Sequence, residues 1–151
     1  MRGDILKRGI RLVDILLIQR KLTELEEYLK QIKEYQDISI SDYKRQWKIQ
    51  RIVERTLHLM IEACIDIANH VVSDKGLRPP VSYADTFLVL EEAGIINKAL
   101  SSRLQKMARF RNIIVHRYEE IEPEIIISIL RKSLKDFDLF KKSILQFLNR
   151  T

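Results

Sequence analysis

In the segment RNIIVHRY, Arg111 to Tyr118, an arginine, an amide, an imidazole and a phenol flank an apolar Ile113-Ile114-Val115 run. An arginine offers a fixed fork of donors to a phosphate and to the charge that develops as that phosphate is attacked. A histidine that titrates near neutrality moves a proton off or onto a reacting oxygen. With RNA as substrate, the ribose 2′-hydroxyl supplies the nucleophile, so the chemistry needs no metal, cysteine or serine. Arg111 and His116 are thus the inventory of a metal-independent ribonuclease. A lone arginine and histidine occur in many proteins, however, and spacing decides whether these two work together.

On helical spacing, Leu100, Leu104, Met107 and Ile114 form one apolar stripe, and the stripe runs through Arg111. A guanidinium on a core-facing stripe must reach solvent along its stem or meet an acidic or anionic partner, because burying it unpaired is costly. An upstream helix offers Glu62 and Asp66, which share a face, with His70 a further turn along. The residues alone favour an internal ion pair. One histidine and two carboxylates without a partner motif are a weak metal signal, and no metal site is expected. His116 follows Arg111 by five residues, which turns it about 140° away on an unbroken helix. Asn112 and His116 share a face, so the amide can fix the imidazole tautomer; Arg111 and Tyr118 align if the helix continues. Convergence of Arg111 with His116 therefore requires either a helix end near Val115 or a second copy of the chain, and symmetric dimers are common.

The rest of the chain must position these groups. Its 151 residues suit one domain spanning 1–151 with a full core. Four Gly, three Pro and 46% hydrophobic residues leave little room for turns, and strand-type alternation is absent. Helices are expected over about 4–35 and 41–72, the second with Ser41 as N-cap. A loop follows over Ser73–Ser82. Ser82 and Asp85 resemble a capping box opening a short helix that Gly94 closes. A fourth helix spans about 96–115, and Pro123 opens a fifth. The expected fold is all-α: an antiparallel bundle of about four long helices plus one short one.

Composition narrows the function classes. Cys64 is the single cysteine, so it forms no internal disulfide, and its apolar neighbours make it a core residue. Charges at Arg2, Asp4, Lys7, Arg8 and Arg11 leave no apolar stretch for a signal peptide, and no membrane span is expected elsewhere, which points to the cytoplasm. The formal net charge is +6. More informative is its distribution: Lys98, Arg103, Lys106, Arg109, Arg111 and Arg117 lie between Glu92 and Glu119 with no acidic residue among them. Several of these cations can border a cleft as sequence-independent phosphate contacts, and Arg103, Lys106, Arg109 and Arg117 are the candidate RNA-binding patch.

The order Arg111-Asn112, then His116, then Tyr118 resembles the R-x4-H-x-Y motif of the HepT-like toxins, a branch of the HEPN superfamily. The likeness extends over ERTLHLMIEACIDIANHVVSDKG (Glu54–Gly76), PPVSYADTFLVLEEAGII (Pro79–Ile96) and LQKMARFRNIIVHRYEEIEPE (Leu104–Glu124), more than half the chain. The resemblance implies an all-helical HEPN-like domain that dimerises and pairs its motif with that of the other protomer. It further implies a ribonuclease toxin of a two-component system, whose partner is a nucleotidyltransferase (MNT) antitoxin. Arg111 and His116 are then the catalytic pair with no cofactor, Asn112 supports them, and Tyr118 matches the tyrosine that the partner can modify with AMP units. Glu62 and Asp66 are expected to orient Arg111 from the neighbouring helix. Two other classes compete with this reading. One is a non-catalytic helical module that binds a nucleotide or a partner through Arg111 and Tyr118; the other is a structural adaptor, in which replacing Arg111 mainly lowers stability.

Overall fold

The computed structural model describes residues 12–150, and every regular element among them is helical. Helix α1 (Leu12–Ile32) ends in a single 3-10 turn, Lys33–Tyr35. Then come α2 (Ile40–Arg45), α3 (Trp47–Asp74), α4 (Tyr83–Glu92), α5 (Lys98–His116), a 3-10 turn over Tyr118–Glu120, α6 (Pro123–Lys132) and α7 (Leu134–Arg150). Helices α1, α3, α5 and α7 are the long ones. The all-α bundle is as expected, with three short helices where one was foreseen.

Helix α3 is the axis of the bundle: α1 lies along it, and α4, α5 and α7 also touch it. Its inward stripe, Val53, Leu57, Met60, Ile61, Cys64, Ala68 and Val71, is buried and meets Leu25 and Leu29 of α1 and Leu104 of α5 in one core. Phe87 of α4 meets Phe140 of α7 edge to face, with ring centroids 5.8 Å apart, a geometry that contributes about 1 kcal/mol beyond area burial. Cys64 is part of this core, and burial pushes its thiol far above the usual range, so it is unreactive.

Three boundaries differ from the expectation. The helix read over 41–72 is two, because the chain leaves helical geometry at Gln46 (φ −114, ψ 87). Ser39, not Ser41, caps α2, accepting from the Asp42 amide at 3.0 Å. Gln50 then closes the break by donating to the Tyr43 carbonyl at 2.8 Å, so a side chain supplies what a Gly or Pro supplies elsewhere. The fifth helix, expected to run on from Pro123, likewise divides at Ser133, although Pro123 occupies the first turn of α6 as expected. The start expected near residue 4 lies outside the described residues.

The local signals around the loop hold. Ser82 accepts from the Asp85 amide at 3.0 Å. Gly94, at φ 74, closes α4 in the left-handed conformation that lets the Ile95 amide bond the Leu90 carbonyl at 2.9 Å. Asn97, which the sequence reading passed over, caps α5 through the Leu100 amide at 2.8 Å.

Candidate active site

Arg111 lies on the core-facing side of α5 with only 15% of its side chain exposed. Its Nε donates to Glu62 Oε1 of α3 at 2.5 Å, and its Nη1 donates to Asn112 Oδ1 at 3.2 Å. Its guanidinium carbon sits 4.8 Å from the centre of the Tyr83 ring, within reach of cation–π attraction. Glu62 Oε1 is also 3.1 Å from His58 Nε2. Burial pushes the Glu62 carboxyl upward, but the hydrogen bonds and charges of Arg111 and His58 outweigh it and hold the group below the usual carboxylate range. An ionised Glu62 therefore anchors the arginine. Asp66 corrects the expectation: it pairs with Lys21 of α1 at 3.4 Å instead of Arg111, because one further turn of α3 carries it past the guanidinium to the α1 side.

Arg111, Asn112 and His116 line one open cleft of about 680 Å³, together with Asn69, Thr86 and Pro80–Tyr83. His116 is the last residue of α5; Arg117 departs to φ −136, ψ 49. The helix thus ends one residue beyond the expected point, and a cleft this wide accepts both side chains despite their angular offset. The opposite wall is clamped by Arg78. It donates to both oxygens of Asp85 at 2.8 and 2.9 Å and to Glu92 at 2.8 Å. Asp85 also accepts from the Val81 amide at 2.9 Å. Arg78 and that amide together hold the Asp85 carboxyl down to about 2.

Tyr118 is not among the residues lining that cleft. Carried by the 3-10 turn after α5, it lines a smaller cavity of about 250 Å³ with Arg51, Glu54, Arg55, His58 and Ile114. Its hydroxyl donates to Glu54 Oε1 at 3.1 Å, and the Arg51 guanidinium lies 5.1 Å from its ring centre. Glu54 is 7% exposed; burial raises its carboxyl against the opposing effects of the Tyr118 hydrogen bond and Arg51. On α3, Glu54, His58 and Glu62 recur every fourth residue and form a polar row that meets Tyr118 at one end and Arg111 at the other. Sequence reasoning missed Arg51, Glu54, Arg55, His58, Arg78 and Tyr83. The four-residue polar spacing within the buried stretch of α3 was the available signal.

The basic patch divides. Arg103 donates to Asp136 at 2.8 Å, a carboxylate whose side chain is 2% exposed. Together with Lys106 and Arg109 it borders a separate cavity of about 510 Å³ floored by Phe110, Ile113, Ile125 and Ile129. Arg117 faces solvent and pairs with Glu120 at 3.5 Å. None of these four is among the residues lining the Arg111 cleft. Since α5 is flanked on two sides, its cations fan out around it.

The all-helical bundle, with an anchored arginine and a histidine on one cleft, is the fold and site that comparison with known proteins places among the HepT-like ribonucleases. Residues 25–144 match the ribonuclease HepT-like family, and the chain belongs to that family. The mRNA nuclease HepT of Shewanella oneidensis is 35% identical over 125 residues, 82% of this chain and 92% of that protein. The tRNA nuclease HepT of Aphanizomenon flos-aquae is 28% identical over 136 residues, 90% of this chain and 92% of that one. A crystal structure of a toxin–antitoxin with AMP-PNP superposes with a TM-score of 0.80 at 34% identity, covering 85% of this chain and 97% of the other. The tri-AMPylated Shewanella oneidensis HEPN toxin in complex with MNT antitoxin superposes at 0.79 with 33% identity, covering 85% and 96%.

Proposed function

We propose that this protein is a cytoplasmic, metal-independent endoribonuclease toxin in which Arg111 and His116 carry the chemistry, Asn112 supports them, and a nucleotidyltransferase antitoxin neutralises it at Tyr118. The observation that carries the reading is the shared cleft: Arg111, Asn112 and His116 line it together, with the guanidinium held by Glu62. In the reaction, His116 takes the ribose 2′-hydroxyl proton as the oxygen attacks the adjacent phosphorus. A 2′-oxygen–phosphorus bond forms, the bond to the 5′-oxygen breaks, and the leaving oxygen takes up a proton. Arg111 faces the charge that builds on the phosphate. RNA as the substrate class is supported by the relatives named as mRNA and tRNA nucleases. A homodimer in which a second His116 delivers the proton to the leaving oxygen fits the single histidine each chain brings to the cleft. Among the described residues no helix is long and apolar enough to cross a membrane, in keeping with a cytoplasmic site of action. RNA cleavage that persists in excess EDTA and is abolished by His116→Ala is the expected result; loss in EDTA or survival in the variant overturns the reading.

Neutralisation at Tyr118 is supported by the solved relative that is tri-AMPylated and bound to an MNT antitoxin. Tyr118 follows His116 by two residues, so nucleotide units added there bring negative charge and bulk to the helix end that carries the imidazole. The competing reading, a non-catalytic nucleotide- or partner-binding module, draws on the exposed edge of Tyr118 outside the cleft. It predicts no cleavage by any unmodified preparation.

A further inference from the structure

The cavity beside Tyr118 is more elaborate than a docking tyrosine requires. Arg45, Arg78, Arg103, Arg111 and Arg117 each form an ion pair with a carboxylate. Arg51 and Arg55, one turn apart on α3 and both lining the cavity, form none among the described residues. Arg55 contacts the ring of His58, at 3.3 Å from Nδ1, and Arg51 lies over the Tyr118 ring. Both side chains are exposed at the mouth. Beneath them, Glu54 is a buried carboxylate that, among the described residues, accepts its side-chain hydrogen bond from the Tyr118 hydroxyl. Two arginines without an ion-pair partner among the described residues, a phenol and a carboxylate thus converge in one small cavity.

We propose that this cavity is a built acceptor site for nucleotidyl transfer, in which Glu54 is the general base for the Tyr118 hydroxyl and Arg51 and Arg55 bind the phosphate that arrives there. The inference rests on the reading of Tyr118 as the modified residue and adds the groups that make it reactive. A phenol is a weak nucleophile at neutral pH, and a carboxylate within hydrogen-bond reach of its proton is the geometry that activates it. As the tyrosine oxygen bonds to the α-phosphorus of a nucleoside triphosphate, the bond to the pyrophosphate oxygen breaks and the phenolic proton passes to Glu54. Pyrophosphate leaves with the electron pair. Glu54 becomes neutral in the same step, so it no longer repels the new phosphodiester, and Arg51 and Arg55 are left to pair with it. Burial favours that neutral form. A unit joined to the first one is attacked by a ribose hydroxyl instead of the phenol. Glu54 therefore acts on the first transfer alone.

The test follows the mass of the full chain during incubation with a purified MNT-type nucleotidyltransferase, Mg²⁺ and ATP. Wild type gains AMP units at Tyr118 and Tyr118→Phe gains none. Glu54→Gln, which keeps the shape, slows the first addition by about 100-fold and flattens its pH–rate profile. Later additions keep their rate. Arg51→Ala and Arg55→Ala each slow the first addition by about 10-fold through the lost charge-assisted contact. If wild type gains no mass, or Tyr118→Phe gains as much, the reading of Tyr118 fails and the inference with it. If wild type is modified at Tyr118 while Glu54→Gln and both arginine variants stay within about two-fold of it, the inference alone is overturned. Because the two arginines are surface residues, their variants decide the matter even where Glu54→Gln folds poorly.

Discussion

Arg111 and Glu62 meet across α5 and α3 at 2.5 Å, and the same Glu62 oxygen is 3.1 Å from His58. One carboxylate thus fixes the direction in which a half-buried guanidinium enters the cleft. Glu62→Gln keeps the size of the side chain and removes its charge. It is expected to lower RNA cleavage by about 10-fold, or ~1.4 kcal/mol of transition-state stabilisation, and to cost about 1 kcal/mol of stability. Single-turnover cleavage and urea unfolding measure the two separately, and cleavage unchanged beside a loss of stability would make Glu62 a purely structural partner.

That pair was the most legible feature of the site. The apolar stripe of α5 led through Arg111, and the demand for a carboxylate led to α3. What the stripe could not settle was which carboxylate, because Glu62 and Asp66 share a face and only the lateral position of α1, with Lys21, separates them. Tyr118 was legible as a motif residue but not in its placement, since α5 stops at His116 and the 3-10 turn carries the phenol to Glu54. The break at Gln46 was hidden for a related reason. Its cap comes from Gln50, a residue type that equally well continues a helix, whereas the breaks at Gly76 and Gly94 announce themselves.

Acid should unlock the wall of the cleft. Arg78 and the Val81 amide hold the Asp85 carboxyl at about 2, below its ordinary 3.8. A carboxyl lowered by folding contributes stability that is complete above the ordinary value and is lost as pH falls through the folded one. Unfolding midpoints of wild type and Asp85→Asn are therefore expected to differ at neutral pH and to converge as the pH drops from about 4 towards about 2. A constant gap over that range would mean that the carboxylate charge is not what clamps the loop.

Tyr83 closes the other side of Arg111, with its ring centre 4.8 Å from the guanidinium carbon. Tyr83→Phe keeps the π-face and should cleave RNA at near the wild-type rate. Tyr83→Leu loses an attraction of about 0.5–1 kcal/mol and should reduce cleavage accordingly, by several-fold. Equal losses in both variants, measured by single-turnover cleavage, would point instead to the phenolic hydroxyl.

The cations of α5 should separate into structural and RNA-binding members. Arg103 is committed to Asp136, and Asp136 is almost fully buried. Arg103→Ala leaves that carboxylate without its ionic partner, and because Arg103 is itself 42% exposed the expected consequence is an intermediate loss of about 1–2 kcal/mol of stability, read by denaturant unfolding. Lys106 and Arg109 form no ion pair with a carboxylate among the described residues, and they border a cavity on a different side of α5 from the cleft. If RNA extends around the helix to them, Lys106→Ala and Arg109→Ala each lower the dependence of log Kd on log salt by roughly one phosphate contact, with the stability unchanged. An unaltered salt slope confines the RNA to the cleft and leaves the apolar floor of Phe110, Ile113, Ile125 and Ile129 outside its path. The two classes of variant thus read out different quantities, and a basic stretch that looked uniform in sequence resolves into an arginine tied to a buried carboxylate and a surface open to phosphate.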